Sequence, residues 1–308
     1  MYDWANSAFA TTVMAGFFPL FFKAYWADPG NPEESTFYLG LANSLASIIV
    51  AALAPFLGAI ADRGSAKKKF LFTFAFFGII MTSGLWFVAQ GYWQMAVIFY
   101  VAASVGFSGG NIFYDSLLPS IADESKVNYA SSLGYALGYI GGGLLFLLNV
   151  LMFKFPETFG LSDSAAAIKL SFVSVAIWWA LFSIPVMLFV REPQIYDRVP
   201  LSKAVILGWK QLRDTLRDIR HLKVVGLFLL AYWFYIDGVD TIIKMAVDYG
   251  MSLNFEESAL ITALLIVQFV AFPAALIYNW IASRIGTKRA IEIAIMAYCF
   301  ITLLGYFM

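Results

Sequence analysis

The sequence has few of the residues that build metal, redox and phosphate sites. Its 308 residues include 1 cysteine (Cys299) and 1 histidine (His221), too few for an internal disulfide or a His/Cys metal cluster. It contains no G-x-x-x-x-G-K-[ST] phosphate loop, and no Ser/His pair falls in an apolar segment. We therefore predict no cofactor, no metal and no enzyme activity, which argues against an ATP-driven pump or a membrane enzyme.

Charge is also scarce. Asp, Glu, Lys and Arg make up 13% of the residues, compared with about 25% in soluble domains. Basic and acidic residues each number 20, so the net charge is zero and no nucleic-acid partner is expected. This composition argues against an ordinary soluble domain and indicates membrane lipid as the surrounding medium.

Hydrophobic residues instead make up 61% of the chain and occur in long blocks. A helix needs about 20 apolar residues to cross a hydrocarbon core of roughly 30 Å. The blocks therefore predict nine transmembrane helices, over residues 4–26, 38–61, 70–90, 93–119, 128–153, 169–190, 223–247, 258–282 and 290–308.

Positive charge lies mostly in alternate connections between these helices. Lys and Arg concentrate in the loops after the second, fourth, sixth and eighth helices, whereas the other loops carry mostly Asp and Glu. Short cytoplasmic loops collect Lys and Arg, so this pattern predicts that the even-numbered loops and the N-terminus are cytoplasmic. We expect an integral protein of the bacterial inner membrane.

One connection is much longer than the rest. Residues 191–222 are polar and contain apolar positions at roughly helical spacing, namely Leu201, Val205, Leu212, Leu216, Ile219 and Leu222. The pattern predicts an amphipathic helix on the inner membrane surface, with a solvated linker helix as the alternative. We thus divide the chain into an N-terminal six-helix bundle (1–190), a cytoplasmic linker (191–222) and a partial second bundle of three helices (223–308).

A weak internal repeat supports this division. The loop after the second helix reads GAIADRGSAKK from Gly58, including Asp62 and Arg63, and the loop after the eighth reads WIASRIGTKR, including Arg284 and Gly286. The two loops lie six helices apart. We predict that Asp62 and Arg63 join helices across the cytoplasmic face, with plain surface charge as the alternative.

These loops resemble the loop signature of the major facilitator superfamily, an Asp-Arg-x-Gly-basic turn that recurs in weaker form in the second half. Here Gly64 comes one residue early, and Ser283 stands where the second Asp would be. Three further segments are similar to the vacuole-effluxer branch, related to an autophagy-associated amino-acid effluxer: YDWANSAF at 2–9, FYDSLLP at 113–119 and YIDGVDTI at 235–242.

The resemblance implies an all-α polytopic fold of twelve helices in two six-helix bundles around a central cavity. Nine predicted helices would supply the N-terminal bundle and the first three helices of the C-terminal bundle, so we expect a truncated chain. It also implies a secondary active transporter, an effluxer of small organic solutes with amino acids as the best-known cargo. A non-transporting sensor or a channel on the same fold is the alternative.

Polar side chains in lipid are costly, by about 2.5 to 3.5 kcal/mol each, so those present should face the bundle interior. Asp237, Asp240 and Lys244 share one helix face by their i, i+3 and i+7 spacing, which predicts a proton or substrate site. The alternative is a structural Asp240–Lys244 ion pair. Two polar pairs lie near the cytoplasmic ends of the first and fourth helices, namely Asp3 with Asn6 and Asn111 with Asp115. We predict that they form a cluster that holds a gate or binds a ligand, with solvated helix ends as the alternative.

Small residues mark one further face. Gly134, Gly138 and Gly142 follow small-xxx-small spacing in the fifth helix, which predicts close packing against a neighbouring helix. Small solutes are the expected partners besides lipid, with coupled protons as a further candidate.

Overall fold

The computed structural model describes residues 1–28, 30–63, 67–121, 126–190, 192, 209–210, 213–214, 217 and 223–307, without the side chains of 59–63 and 120–121. The predicted amphipathic linker helix falls almost entirely outside these residues. So do the side chains of Asp62 and Arg63, and so does Gly64.

Nine long helices make up the described part of the chain, and all nine are long and apolar enough to cross a membrane. In chain order, α1 to α9 run Tyr2–Trp26, Pro32–Arg63, Lys67–Gly84, Trp93–Ile121, Val127–Lys154, Ser164–Phe189, Lys223–Ser252, Glu257–Ile285 and Thr287–Tyr306. The described residues contain no strand. The prediction of an all-α polytopic membrane protein is therefore confirmed.

Two helices begin several residues before the predicted apolar blocks, because polar caps start them. Asn31 precedes Pro32 of α2, and its side-chain oxygen accepts a hydrogen bond from the Glu34 amide at 3.4 Å. Asp163 precedes α6, and its carboxylate accepts from the Ala166 amide at 2.7 Å. Such caps satisfy amides that lack partners within the helix. Hydropathy alone does not detect these first polar turns.

Helix α1 lies at the centre of the structure. It packs against α5, α6, α7 and α8, and almost all of its span is buried. Two stretches of it, Phe9–Phe17 and Phe22–Trp26, are π-helical. Its aromatic side chains stack on neighbours: Phe18 lies 4.0 Å from the Tyr100 ring and Trp26 5.9 Å from the Phe172 ring. The helix is therefore the core around which the others are arranged.

The glycines of α5 face α1. A Cβ atom on Gly138 would lie 2.6 Å from the Ser7 hydroxyl, and one on Gly142 would lie 2.9 Å from the Ser7 carbonyl oxygen. One on Gly134 would lie 2.5 Å from an Asp3 carboxylate oxygen. A larger side chain at Gly142 would meet the backbone of α1 and push the two helices apart, whereas at Gly134 it would displace the Asp3 side chain.

A second close crossing joins α3 and α4, which the glycine pattern did not predict. A Cβ atom on Gly106 would lie 2.6 Å from both the Cα and the amide nitrogen of Gly78. These are backbone atoms, so the neighbour has no flexible group that could move aside. The two helices approach closely because both positions lack a side chain.

We expect Gly106→Ala to lower the free energy of unfolding by about 1 to 3 kcal/mol, because the new methyl group meets backbone atoms. Thermal unfolding of the purified protein in detergent measures the change. The matched control is Gly40→Ala, whose Cβ would have no heavy atom within 4 Å and which should be neutral or slightly stabilising. Equal stability of the two variants would contradict the close crossing.

Candidate functional site

A cavity of about 590 Å³ lies between α7 and the helices α1, α2 and α4. We call it the central cavity. Four of the six polar residues predicted from the sequence line it, namely Asn111 and Asp115 from α4 and Asp237 and Asp240 from α7. The fold therefore brings together positions that lie more than 100 residues apart in the chain.

The charges in this lining are unevenly paired. Lys244 donates a hydrogen bond to Asp240 at 3.2 Å, which forms the ion pair that the helical spacing allowed. Asp115 and Asp237 form neither an ion pair nor a hydrogen bond with any other described residue. Two carboxylates thus face the cavity without a counter-charge in the described part of the chain.

The other two predicted residues, Asp3 and Asn6, lie behind the cavity wall. The Asn6 side-chain amide donates to the Asn111 oxygen at 2.6 Å, and the Tyr114 hydroxyl donates to Asp3 at 2.6 Å. Both bonds tie the start of α1 to α4. Asn6 therefore holds Asn111, which lines the cavity, and Asp3 holds Tyr114 beside Asp115.

Several polar lining residues were missed by the sequence reasoning. Asn43 of α2 accepts a hydrogen bond from Tyr100 at 2.7 Å and, with Ser47, also lines a smaller adjoining cavity of about 280 Å³ with Asp237 and Asp240. Ser104 of α4 is 3% exposed, and its hydroxyl has no partner among the described residues. Asn43 and Ser47 are one turn apart on α2, a signal that could have been read, but uncharged polar residues are common in membrane helices.

A buried polar cluster joins α1, α2 and α7 beyond the Lys244 end of the cavity. The Lys23 ammonium of α1 donates to Thr36 of α2 and to Asp248 and Ser252 of α7, each at 3.0 Å. Thr36 also donates to the second Asp248 oxygen at 2.8 Å. The charged side chains are only 8% and 2% exposed. We call Lys23, Thr36, Asp248 and Ser252 the Lys23 cluster; its three donor bonds use all three ammonium hydrogens.

The Lys23 cluster was not predicted. A lysine at the end of an apolar block ordinarily extends to solvent, whereas the structure buries Lys23. The sequence did contain a sign of this cluster, a lysine within the aromatic end of the first apolar block and an aspartate at the end of the seventh apolar block.

Contacts between α7–α8 and the first six helices concentrate on the Lys23 side and at mid-depth. The Thr11 hydroxyl donates to Gln268 at 3.1 Å, and Lys154 donates to Thr262 at 3.3 Å. The buried residues of α7 are Val247, Asp248 and Gly250, all close to its C-terminal end. The earlier part of α7 stands away from the first six helices, so the central cavity opens toward the side where α1 begins, the Asp3 side.

The predicted loop motif is only partly visible. Gly286 joins α8 to α9 with φ of +90°, a backbone conformation that favours glycine. Arg284 lies over the Trp280 ring at 5.5 Å, and a Cβ on Gly58 would meet no atom within 4 Å.

The lysines that follow Arg63 make the contacts between helices on the Asp3 side. Lys67 donates to the Ser116 carbonyl at 2.9 Å, and Lys68 donates to the Val190 carbonyl at 2.6 Å. Ammonium groups at helix C-termini satisfy free carbonyls and the helix dipole.

Residues 33–308 match the family described as "Vacuole effluxer Atg22 like". The chain belongs to this family. The match covers the helices that form the central cavity except α1, and it includes Thr36 and Asp248 of the Lys23 cluster.

Individual relatives agree with the family match. The chain is 39% identical over its whole length to a Bacillus subtilis protein described as an uncharacterized MFS-type transporter, YxiO, and covers 72% of it. It is 26% identical to autophagy-related protein 22-2 of Aspergillus clavatus over 60% of this chain and 32% of that protein. An uncharacterized Aquifex aeolicus protein is 24% identical over 66% of this chain and 47% of its own length. The similarities support the prediction of a transporter.

Removing one partner of the Lys23 cluster should be costly. We expect Lys23→Met to destabilise the protein by about 3 to 5 kcal/mol, because Asp248 would remain buried and unpaired. Thermal unfolding in detergent measures this, and the double variant Lys23→Met/Asp248→Leu should recover most of the loss.

Lys244→Met is the matched control, because its partner Asp240 is half exposed and an exposed pair contributes about 0.2 to 1 kcal/mol. Similar losses in Lys23→Met and Lys244→Met would contradict the buried character of the cluster.

Proposed function

We propose that this protein is a secondary active transporter that exports small organic solutes, amino acids first among them, by alternating access. The observation that carries the proposal is the central cavity, which has carboxylates on both walls, is closed on one side by the Lys23 cluster and is open on the other. Family membership and the resemblance to an MFS-type transporter support it.

The closing contacts suit a structure that must open again. The Lys23 cluster joins α1 and α2 to α7 through hydrogen bonds and one ion pair, and water could replace each of them when the helices separate. The Thr11–Gln268 bond lies within the contact of α8 with α1 and α5, about which the two groups of helices can pivot. Alternating access requires such a bistable interface around a fixed central site.

The direction of opening follows from the charge pattern of the loops. The positive-inside rule assigns the Asp3 side to the cytoplasm, so the conformation described here is inward-facing, ready to take up solute from the cytoplasm. We extend this to a bacterial inner-membrane location, favoured by the full-length similarity to the Bacillus protein. In this scheme residues 1–190 and 223–308 are the two moving units and 191–222 is the cytoplasmic connection.

Asp237 is the favoured proton carrier. Its carboxylate lines both cavities, faces Asn43 and Ser47 of α2 across the smaller one, and has Asp240 and Lys244 on its own helix. An aspartate that alternates between a cavity and water can gain and lose a proton during the transport cycle. Asp115 on the opposite wall would act with it in binding the solute.

A channel and a non-transporting sensor remain the competing functions. A channel needs a continuous path, which the buried Lys23 cluster interrupts in this conformation. A sensor would bind solute without moving it. Membership of a transporter-like family makes an enzyme the weaker alternative.

Counterflow is the deciding experiment. The full-length natural protein is placed in proteoliposomes that are preloaded with unlabelled amino acids. These vesicles should accumulate labelled amino acids transiently and saturably, because a carrier exchanges solute inside the vesicle for solute outside. Protein-free liposomes are the control. Flux without exchange would indicate a channel, and binding without flux a sensor; either outcome would overturn the proposal.

Proton coupling has its own test. In Asp237→Asn the dependence of transport on an imposed pH gradient should be lost, because the proton-carrying group is gone. Exchange of a neutral amino acid at saturating concentration and equal pH should continue. Glu157→Gln removes an exposed carboxylate outside the cavity and should retain the dependence. An unchanged response in Asp237→Asn would rule out this residue as the proton carrier.

A further inference from the structure

The described lining of the central cavity carries an excess of negative charge. It has three carboxylates, Asp115, Asp237 and Asp240, and one ammonium, Lys244. The 3.2 Å pair between Asp240 and Lys244 neutralises one carboxylate. Asp115 and Asp237 stay uncompensated by any described residue, one on α4 and one on α7. Both are exposed to the cavity, and two negative charges without a counter-charge in one cleft attract a ligand that brings positive charge.

Aromatic rings add a second element of cation recognition. Phe107 of α4 and Tyr232 and Trp233 of α7 line the same cavity. Trp233 lies four residues before Asp237, so both share one helix face. Ring faces attract ammonium groups through their quadrupole, and Trp does so most strongly. The carboxylates and the aromatic rings on both walls therefore favour the same kind of ligand, one that carries an ammonium group.

Uncharged polar groups complete the lining. Ser47 of α2 and Ser108 of α4 line the same cavity and can hydrogen-bond to the polar groups of a bound solute. Lys244, on the α7 wall, provides a positive group for a ligand carboxylate.

We propose that the central cavity selects solutes with two separated ammonium groups, namely basic amino acids and diamines, over neutral amino acids. One ammonium binds Asp115 on α4 and the other binds Asp237 on α7, so the solute bridges the two groups of helices. The inference rests on the proposed function for its site, but it concerns binding and is tested by binding.

Lysine and norleucine are the sharpest pair of probes, because they have the same carbon chain and differ in the side-chain ammonium. Binding of each to the purified full-length protein is measured by isothermal titration calorimetry, with cadaverine as a third probe that lacks the carboxylate. Lysine and cadaverine should bind at least about tenfold more tightly than norleucine, as expected when a second ammonium group enters a cleft lined by uncompensated carboxylates.

Variants locate the effect. Asp115→Asn and Asp237→Asn should each weaken lysine binding by about tenfold or more. Each should weaken norleucine binding less, because norleucine has one ammonium group and can use only one of the two carboxylates. Glu157→Gln, which removes an exposed carboxylate outside the cavity, should bind lysine as the natural protein does. Thermal unfolding of each variant verifies that it is folded.

The outcomes separate this inference from the transporter proposal. Selective lysine binding without counterflow would support the inference and overturn the carrier. Counterflow of norleucine with equal or tighter norleucine binding would support the carrier and overturn the inference. No binding of lysine and cadaverine by folded protein would also overturn it.

Discussion

The high cost of charge inside a lipid bilayer governs the arrangement of this protein. A charged side chain at membrane depth needs a counter-charge, hydrogen bonds or access to a polar cavity. Lys23 and Asp248 meet the first two conditions, since they form a buried ion pair and every ammonium hydrogen has an acceptor. Asp115 and Asp237 meet only the third. The same constraint therefore produces a closed polar cluster on one side and a charged cavity beside it.

The cavity exists because the packing around α1 is tight elsewhere. Glycines of α5 let that helix approach the backbone of α1, and aromatic stacking holds α1 against α4 and α6. The first six helices thus form a rigid wall. Helix α7 contacts this wall mainly near its C-terminal end, and the space left along the rest of its length is the cavity. Rigid walls joined by few polar contacts are suited to movement as units.

The candidate site was predictable in part. Asn111, Asp115, Asp237 and Asp240 stand out in the sequence because polar residues are rare in apolar blocks, and the structure has all four in one cavity lining. The roles of Asp3 and Asn6 were less visible, since their partners Tyr114 and Asn111 lie over 100 residues away. Asn43, Ser47 and Ser104 escaped notice because a hydroxyl or amide in a membrane helix is ordinary until its surroundings are known.

The sequence alone determined the number and nature of the helices and the family, because hydropathy and short motifs are local properties that need no knowledge of contacts. Tertiary structure alone decided which helices meet. Lys23 and Asp248 are separated by 225 residues, and the sequence around each residue does not indicate that the two form a pair. Whether a lysine near a helix end reaches solvent or closes a cavity depends on the three-dimensional approach of α1, α2 and α7, and that approach arises from packing summed over all the helices.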